Sequence, residues 1–91
     1  MDAEVRDNRD RRRFELALDG GIVFADYSRA DGIIRIHHVE APPMLRGTGA
    51  AGRLMRGIVD IARAEGARIR PYCGYAHSWM RRHPEAQGLM A

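Results

Sequence analysis

Residues 41–55 read APPMLRGTGAAGRLM: a proline pair, an arginine, a run of glycine and alanine around one threonine, and then the first apolar residues of a helical repeat. Proline cannot donate to a strand ladder, so Pro42-Pro43 ends the strand predicted before it, Ile33 to Glu40. From Thr48 to Glu65 the period changes. Ala51, Leu54, Ile58 and Ile61, with Met55 and Ala62 beside them, share one face at about 3.6 residues per turn, and Arg53, Arg56, Asp60 and Arg63 take the other. Gly66 supplies a C-cap, and Ala67 to Tyr72 reads as the next strand. Strand, helix, strand is a crossover unit, which is right-handed in nearly all cases and makes its two strands parallel. Both strands then end at one edge of the sheet, where open α/β sheets bind ligands.

Working back from this unit, Phe14, Leu16 and Leu18 alternate, Asp19-Gly20-Gly21 has turn chemistry, and residues 22–27 form a second strand, so the two make a hairpin. A further turn at residues 28–32 leads into the strand at 33–40. The fold expected is a small α/β (α+β) domain: an antiparallel three-strand meander, a long helix, a fourth strand parallel to the third, and a short C-terminal helix. That last helix runs from about Tyr75 to Arg82 and is stopped by His83-Pro84. Trp79 and Met80 on it read as core.

Ninety-one residues make one domain, here 1–91, with a core that hides only about 60% of the unfolded surface. Hydrophobic residues are 45% and charged residues 30%, which excludes a disordered chain. No run approaches the roughly 20 apolar residues of a membrane span, and the N-terminal segment MDAEVRDNRD has charges where a signal peptide needs an apolar core. A cytoplasmic protein is expected. The single cysteine points the same way, to a reducing compartment or a thiol kept for its chemistry. All 15 basic residues are arginine, and the net charge of +3 is modest for a nucleic-acid binder. Arg6, Arg9, Arg11 and Arg12 are interleaved with Asp7 and Asp10, so residues 1–12 are expected as a solvated, partly mobile arm.

The small residues of the loop have a physical purpose. A helix begins with N–H groups that lack acceptors, and its dipole adds about half a positive charge there. Gly47, Thr48, Gly49, Ala50, Ala51 and Gly52 would let that backbone approach an anion closely, with Arg46 reaching a further oxygen. The structural alternative is a glycine-rich turn where helix meets sheet. Gly47 to Gly52 also fits the dinucleotide pattern G-x-G-x-x-G, but the acidic residue expected about 20 positions on is missing near Arg70 and Tyr72, and a P-loop would need a lysine.

Arg46-Gly47-Thr48-Gly49-Ala50-Ala51 follows the R/Q-x-x-G-x-G/A pattern of the GNAT superfamily of N-acetyltransferases. The chain resembles the minimal, single-domain branch of that superfamily, the small proteins related to N-acetyltransferase domain-containing protein 1. The shared stretches are VRDNRDRRRFELALDGG, HHVEAPPMLRGTGAAGRLM and RPYCGYAHSWMRRHPE, with Pro43, Pro71, His83, Pro84 and Glu85 in the family's places. Gly74 and Ala86 depart from the pattern at positions that bear on the acceptor more than on the fold. The resemblance implies acetyl-CoA as co-substrate, its pyrophosphate cradled by residues 46–52, and a small-molecule or peptide amine as acceptor.

Acetyl transfer to an amine needs a base, and an acid for the leaving thiolate. His38 and Glu40 lie two apart on one strand face, and a histidine of ordinary pKa, about 6.5, is the better base at neutral pH. A histidine merely hydrogen-bonded under the helix, with Glu40 as a loop anchor, is the alternative. Cys73 reads three ways: a buried strand-end residue, a nucleophile favoured by the following helix, or a pocket lining. The resemblance, in which this cysteine lies close to the coenzyme thiol, favours a site role. Tyr72 and Tyr75 flank it, and either is a candidate acid or an aromatic packing residue; Tyr75 is carried into the candidate catalytic set with Cys73, His38 and Glu40. Cys73, His77 and His83 match no common zinc spacing, so no metal is expected. A non-catalytic acyl-CoA-binding module is the rival function. No membrane or nucleic-acid partner is expected, and the assembly expected is a monomer or weak dimer.

Overall fold

The computed structural model describes residues 4–91. Five strands form one sheet in chain order: β1 (Arg6–Asn8), β2 (Arg13–Leu18), β3 (Gly21–Ala30), β4 (Ile33–Glu40) and β5 (Arg68–Pro71). Neighbours are antiparallel as far as β4, and β4 and β5 are parallel. The long helix α1 (Ala50–Glu65) makes the crossover, and α2 (Gly74–Arg82) and α3 (Pro84–Gln87) follow β5. The α/β layout read from the sequence is present, with one strand more.

That strand corrects the reading of the N-terminal arm. Arg6 pairs with Glu15 and Asn8 with Arg13, so residues 6–8 extend the sheet; residues 1–3 lie outside the described residues. The cause is ionic. Asp7 accepts a hydrogen bond from the Tyr27 hydroxyl and lies 2.8 Å from Arg29 Nη2, while Arg29 Nη1 reaches Glu65 Oε1 at 2.6 Å. Interleaved charges that look solvated in one dimension meet partners from β3 and the end of α1 in three.

Alternation gives the sheet two unlike faces. Phe14, Leu16, Val23, Ala25, Tyr27, Ile34, Ile36 and Ile69 are buried against the helices. From α1 come Leu54, Met55, Ile58, Val59 and Ala62, with Val59 inside and Ile61 at the rim, and from α2 Ala76, Trp79 and Met80. The other face carries Arg13, Glu15, Phe24, Asp26, Ser28, Arg35 and Arg70, none of them fully buried.

One irregularity matters for the site. The pairing of β3 with β4 sets Asp26 against His38 but Tyr27 against Ile36, so His37 is an extra residue, a bulge. Both histidines therefore turn to the open face, where His37 shares a hydrogen bond with Ser28 and His38 meets the edge of Phe24. Val39 returns to the helix side and packs on the core.

At the C-terminus, His83-Pro84 is a break between two helices rather than an end, because proline is accepted in a first turn. The His83 ring stacks on Trp79 at 3.8 Å and its Nδ1–H donates to the Trp79 carbonyl. Glu85 binds Arg56 through its carboxylate and Arg63 through its carbonyl, which straps α3 to α1. Residues 89–91 then lie along β5, with Ile69 donating to Leu89 and Ala91 to Ile69, and cover its outer edge.

Asp7→Asn removes the charge that Arg29 faces while keeping the shape. It should lower unfolding free energy by about 1–3 kcal/mol, seen in urea titration as an earlier midpoint with unchanged slope.

Candidate functional site

Pro42 and the 3-10 turn Pro43–Leu45 pack on the β2–β3 hairpin, so closely that a Cβ on Gly21 would lie 2.8 Å from the Pro42 ring. The chain then passes through two left-handed residues, Gly47 at φ +77° and Gly49 at φ +87°, before α1 begins. Most residues that carry a Cβ would cost about 1–2 kcal/mol there. Packing does not impose these glycines, since nothing stands within 4 Å of where a Cβ would sit at either position. The space over them is open.

The donors of this turn are only partly used. Thr48 Oγ1 donates to the Leu45 carbonyl at 2.5 Å and accepts from the Ala50 amide at 3.3 Å, and the first helical bond runs from Arg53 N to Gly49 O. Among the described residues, the N–H groups of Gly47, Gly49, Ala51 and Gly52 have no protein acceptor, and no acid stands in the first turn of α1. A cleft of about 380 Å³ lies over them. Val39, Ala41, Leu45, Arg46 and Tyr75 complete its walls, and Ala50 turns its methyl group into the core. A larger hollow, about 660 Å³, lies between Val5 and the middle of α1; Arg53 and Arg56 line it together with Glu4 and Asp60, and the amides around it are spent within the helix.

Gly52 differs from the other two glycines. A Cβ there would lie 3.3 Å from the Trp79 indole nitrogen and 3.8 Å from the Tyr75 hydroxyl, so its bareness lets α2 approach α1. The structural reading of small residues between packed elements holds at this position, while its amide still opens to the cleft.

Beside the cleft the sheet parts. The Ile36 carbonyl accepts from both Tyr72 N (2.9 Å) and Cys73 N (3.2 Å), and parallel pairing stops at Ile36 and Pro71. Beyond it β4 runs on beside β3 alone, while the other chain turns at Cys73, the half-buried N-cap of α2. Tyr75, the second residue of α2, lines the cleft, and partial desolvation raises its phenol above the ordinary value. Tyr72 stands on the open sheet face, where the guanidinium groups of Arg70 and then Arg35 hold its phenol below the ordinary value.

His38 and Glu40 also occupy the open face, each side chain more than half exposed, with Nε2 and Oε1 3.1 Å apart. They are not under the helix. The candidate residues thus form two groups: Tyr75 with residues 46–52 on the helix side, and His38 with Glu40 on the other, with Cys73 where the strands part. Among the described residues no three His, Cys, Asp or Glu side chains converge as metal ligands, and no helix is long and apolar enough to cross a membrane.

The profile of the GCN5-related N-acetyl-transferase family matches residues 13–89. The chain belongs to this family. A GCN5-like protein from Staphylococcus aureus, solved by NMR in solution, superposes on 97% of this chain and 87% of its own with a TM-score of 0.69. The two share 18% identity, so the likeness is one of fold. No curated protein matches the sequence.

In this member of the family the cleft also takes in Val39 and Ala41, which the sequence reading omitted. Simple alternation from Ile34 and Ile36 points residue 38 inward, and only the bulge at His37 reverses it. Gly52→Ala should push the one tryptophan, Trp79, off α1. The expected result is a red-shifted emission and a loss of about 1–3 kcal/mol, whereas the emission of wild type would mean the helices have slack there.

Proposed function

We propose that the chain is an acetyl-CoA-dependent N-acetyltransferase acting on an amine. The observation that carries this reading is the set of four unpartnered amides, at Gly47, Gly49, Ala51 and Gly52, opening onto a cleft with no acid in it. Such a surface fits a diphosphate, because each oxygen meets an N–H already aimed outward and the helix dipole adds its field. Arg46 is tethered through Nε to the Ala41 carbonyl at 3.1 Å, which leaves its two terminal nitrogens for a phosphate oxygen. Thr48 fixes the turn, Ala50 anchors it in the core, and Val39 and Ala41 give an apolar wall for the thiol-bearing arm.

Acetyl-CoA supplies an activated acyl group, and this chain's residues manage the protons. In the reaction the acceptor nitrogen bonds the thioester carbon, the C–S bond breaks, the nitrogen loses a proton and the sulfur gains one. Glu40 accepts from His38 Nε2–H, which leaves Nδ1 of the same ring to take the proton from the amine. Tyr75, whose hydroxyl borders the cleft, suits the return of a proton to the thiolate. Cys73 borders the thioester where the strands part. Direct transfer needs only its bulk, and relayed transfer needs its thiolate.

Coenzyme A should bind wild type and lose at least about tenfold in affinity on Gly49→Glu, which puts a like charge and a strained side chain into the cradle. Equal affinity for both proteins would remove the reading. Tyr75→Phe should lower kcat by about 10²-fold or more with coenzyme A affinity little changed, and Cys73→Ala should abolish turnover on the relayed route. Unchanged rates would clear each residue of its role.

A further inference from the structure

On the open face, Arg35 of β4 and Arg70 of β5 are register partners, which sets their side chains about 5 Å apart at their roots. Like charges directly opposite on a sheet repel. Elsewhere the strands answer such charges with acids: Arg13 holds Glu15 at 2.6 Å, and Arg29 holds Asp7 and Glu65. Among the described residues neither Arg35 nor Arg70 has a carboxylate in ion-pair range, and Arg35 makes only a long bond, 3.5 Å, to the Ala30 carbonyl. Next to the pair the rings of His37 and Tyr72 stack, with centroids 5.6 Å apart and planes 3° from parallel. Ser28 Oγ fixes the imidazole at 2.8 Å, and Tyr72 is 57% exposed.

This cluster adjoins the parting of the strands, since Tyr72 and Cys73 both hang on the Ile36 carbonyl. Further along β4 the same face turns acidic, with Asp26 opposite His38 and Glu40 bonded to it. The face is therefore polarised across β3, β4 and β5, with two guanidinium groups that lack a carboxylate at one end, the carboxylates of Asp26 and Glu40 at the other, and histidines between. We infer that Arg35 and Arg70, with the stacked rings of His37 and Tyr72, form a carboxylate-binding subsite, and that the acceptor is an amine which also carries a carboxylate. The inference rests on the acetyltransferase reading for the word acceptor, but the subsite itself can be read without turnover. Hydrogen bonding from Arg70, and then from Arg35, holds the Tyr72 phenol below its ordinary value, so this hydroxyl belongs to the same subsite.

The test is a ¹⁵N NMR titration, without coenzyme A, using N-acetylglutamate as a product-like acid and its uncharged diamide as control. The acid should move the amides of residues 35–38 and 70–73, bind at least about tenfold more tightly than the diamide, and lose about that factor in R35Q/R70Q. R35K/R70K should restore only part, because lysine cannot make the forked contact. Dispersed spectra of both variants establish that they fold. Equal binding of acid and diamide, or wild-type affinity in R35Q/R70Q, overturns the inference whether or not coenzyme A binds. A short single-stranded oligonucleotide that moves the same amides more tightly than the acid also overturns it, in favour of a nucleic-acid face.

Discussion

The fold leaves a set of backbone N–H groups at the head of α1 without acceptors, and keeps the space in front of them clear. Burying such donors against apolar protein would cost a few kcal/mol, so they are stable only where water or an anion can reach them. Each feature around the loop serves that exposure. The two left-handed glycines leave the amides of residues 47 and 49 free, the Thr48 amide donates to Leu45 and its hydroxyl takes up the Ala50 amide, and Pro42 to Leu45 pin the loop to the β2–β3 hairpin.

A cleft built from main chain depends on what holds the main chain. The head of α1 is braced from behind by α2, through Trp79 against Gly52, and α2 is braced by His83 stacked on Trp79 and by Glu85 strapped to Arg56 and Arg63. The HPE stretch is thus a structural latch, far in sequence from the loop it steadies. At the other end of α1, Glu65 is held by Arg29 in the network with Asp7. The helix is thus held at both ends.

Much of this was legible in the sequence, because periodicity and turn chemistry are local. The crossover unit, the long helix and the glycine-rich loop at its head follow from where Pro42-Pro43, Gly47-Gly49 and Gly66 stand. Residues 6–8 were not legible as a strand, since the partners of Asp7 lie at Tyr27, Arg29 and Glu65 and no local pattern announces them. The face of His38 was open to error for a different reason. One extra residue at His37 inverts the alternation, and bulges carry no fixed signature. Gly52 could be assigned to the loop but not to Trp79, because the contact joins two helices whose approach is a tertiary matter.

The central claim is that main-chain donors grip a diphosphate, and amide resonances report this directly. Uniformly ¹⁵N-labelled protein titrated with coenzyme A should show its largest downfield shifts at Gly47, Gly49, Ala51 and Gly52, while pantetheine, which lacks the pyrophosphate, leaves those four in place. Shifts centred on the hollow beside Val5, or the same shifts from pantetheine, would contradict the account.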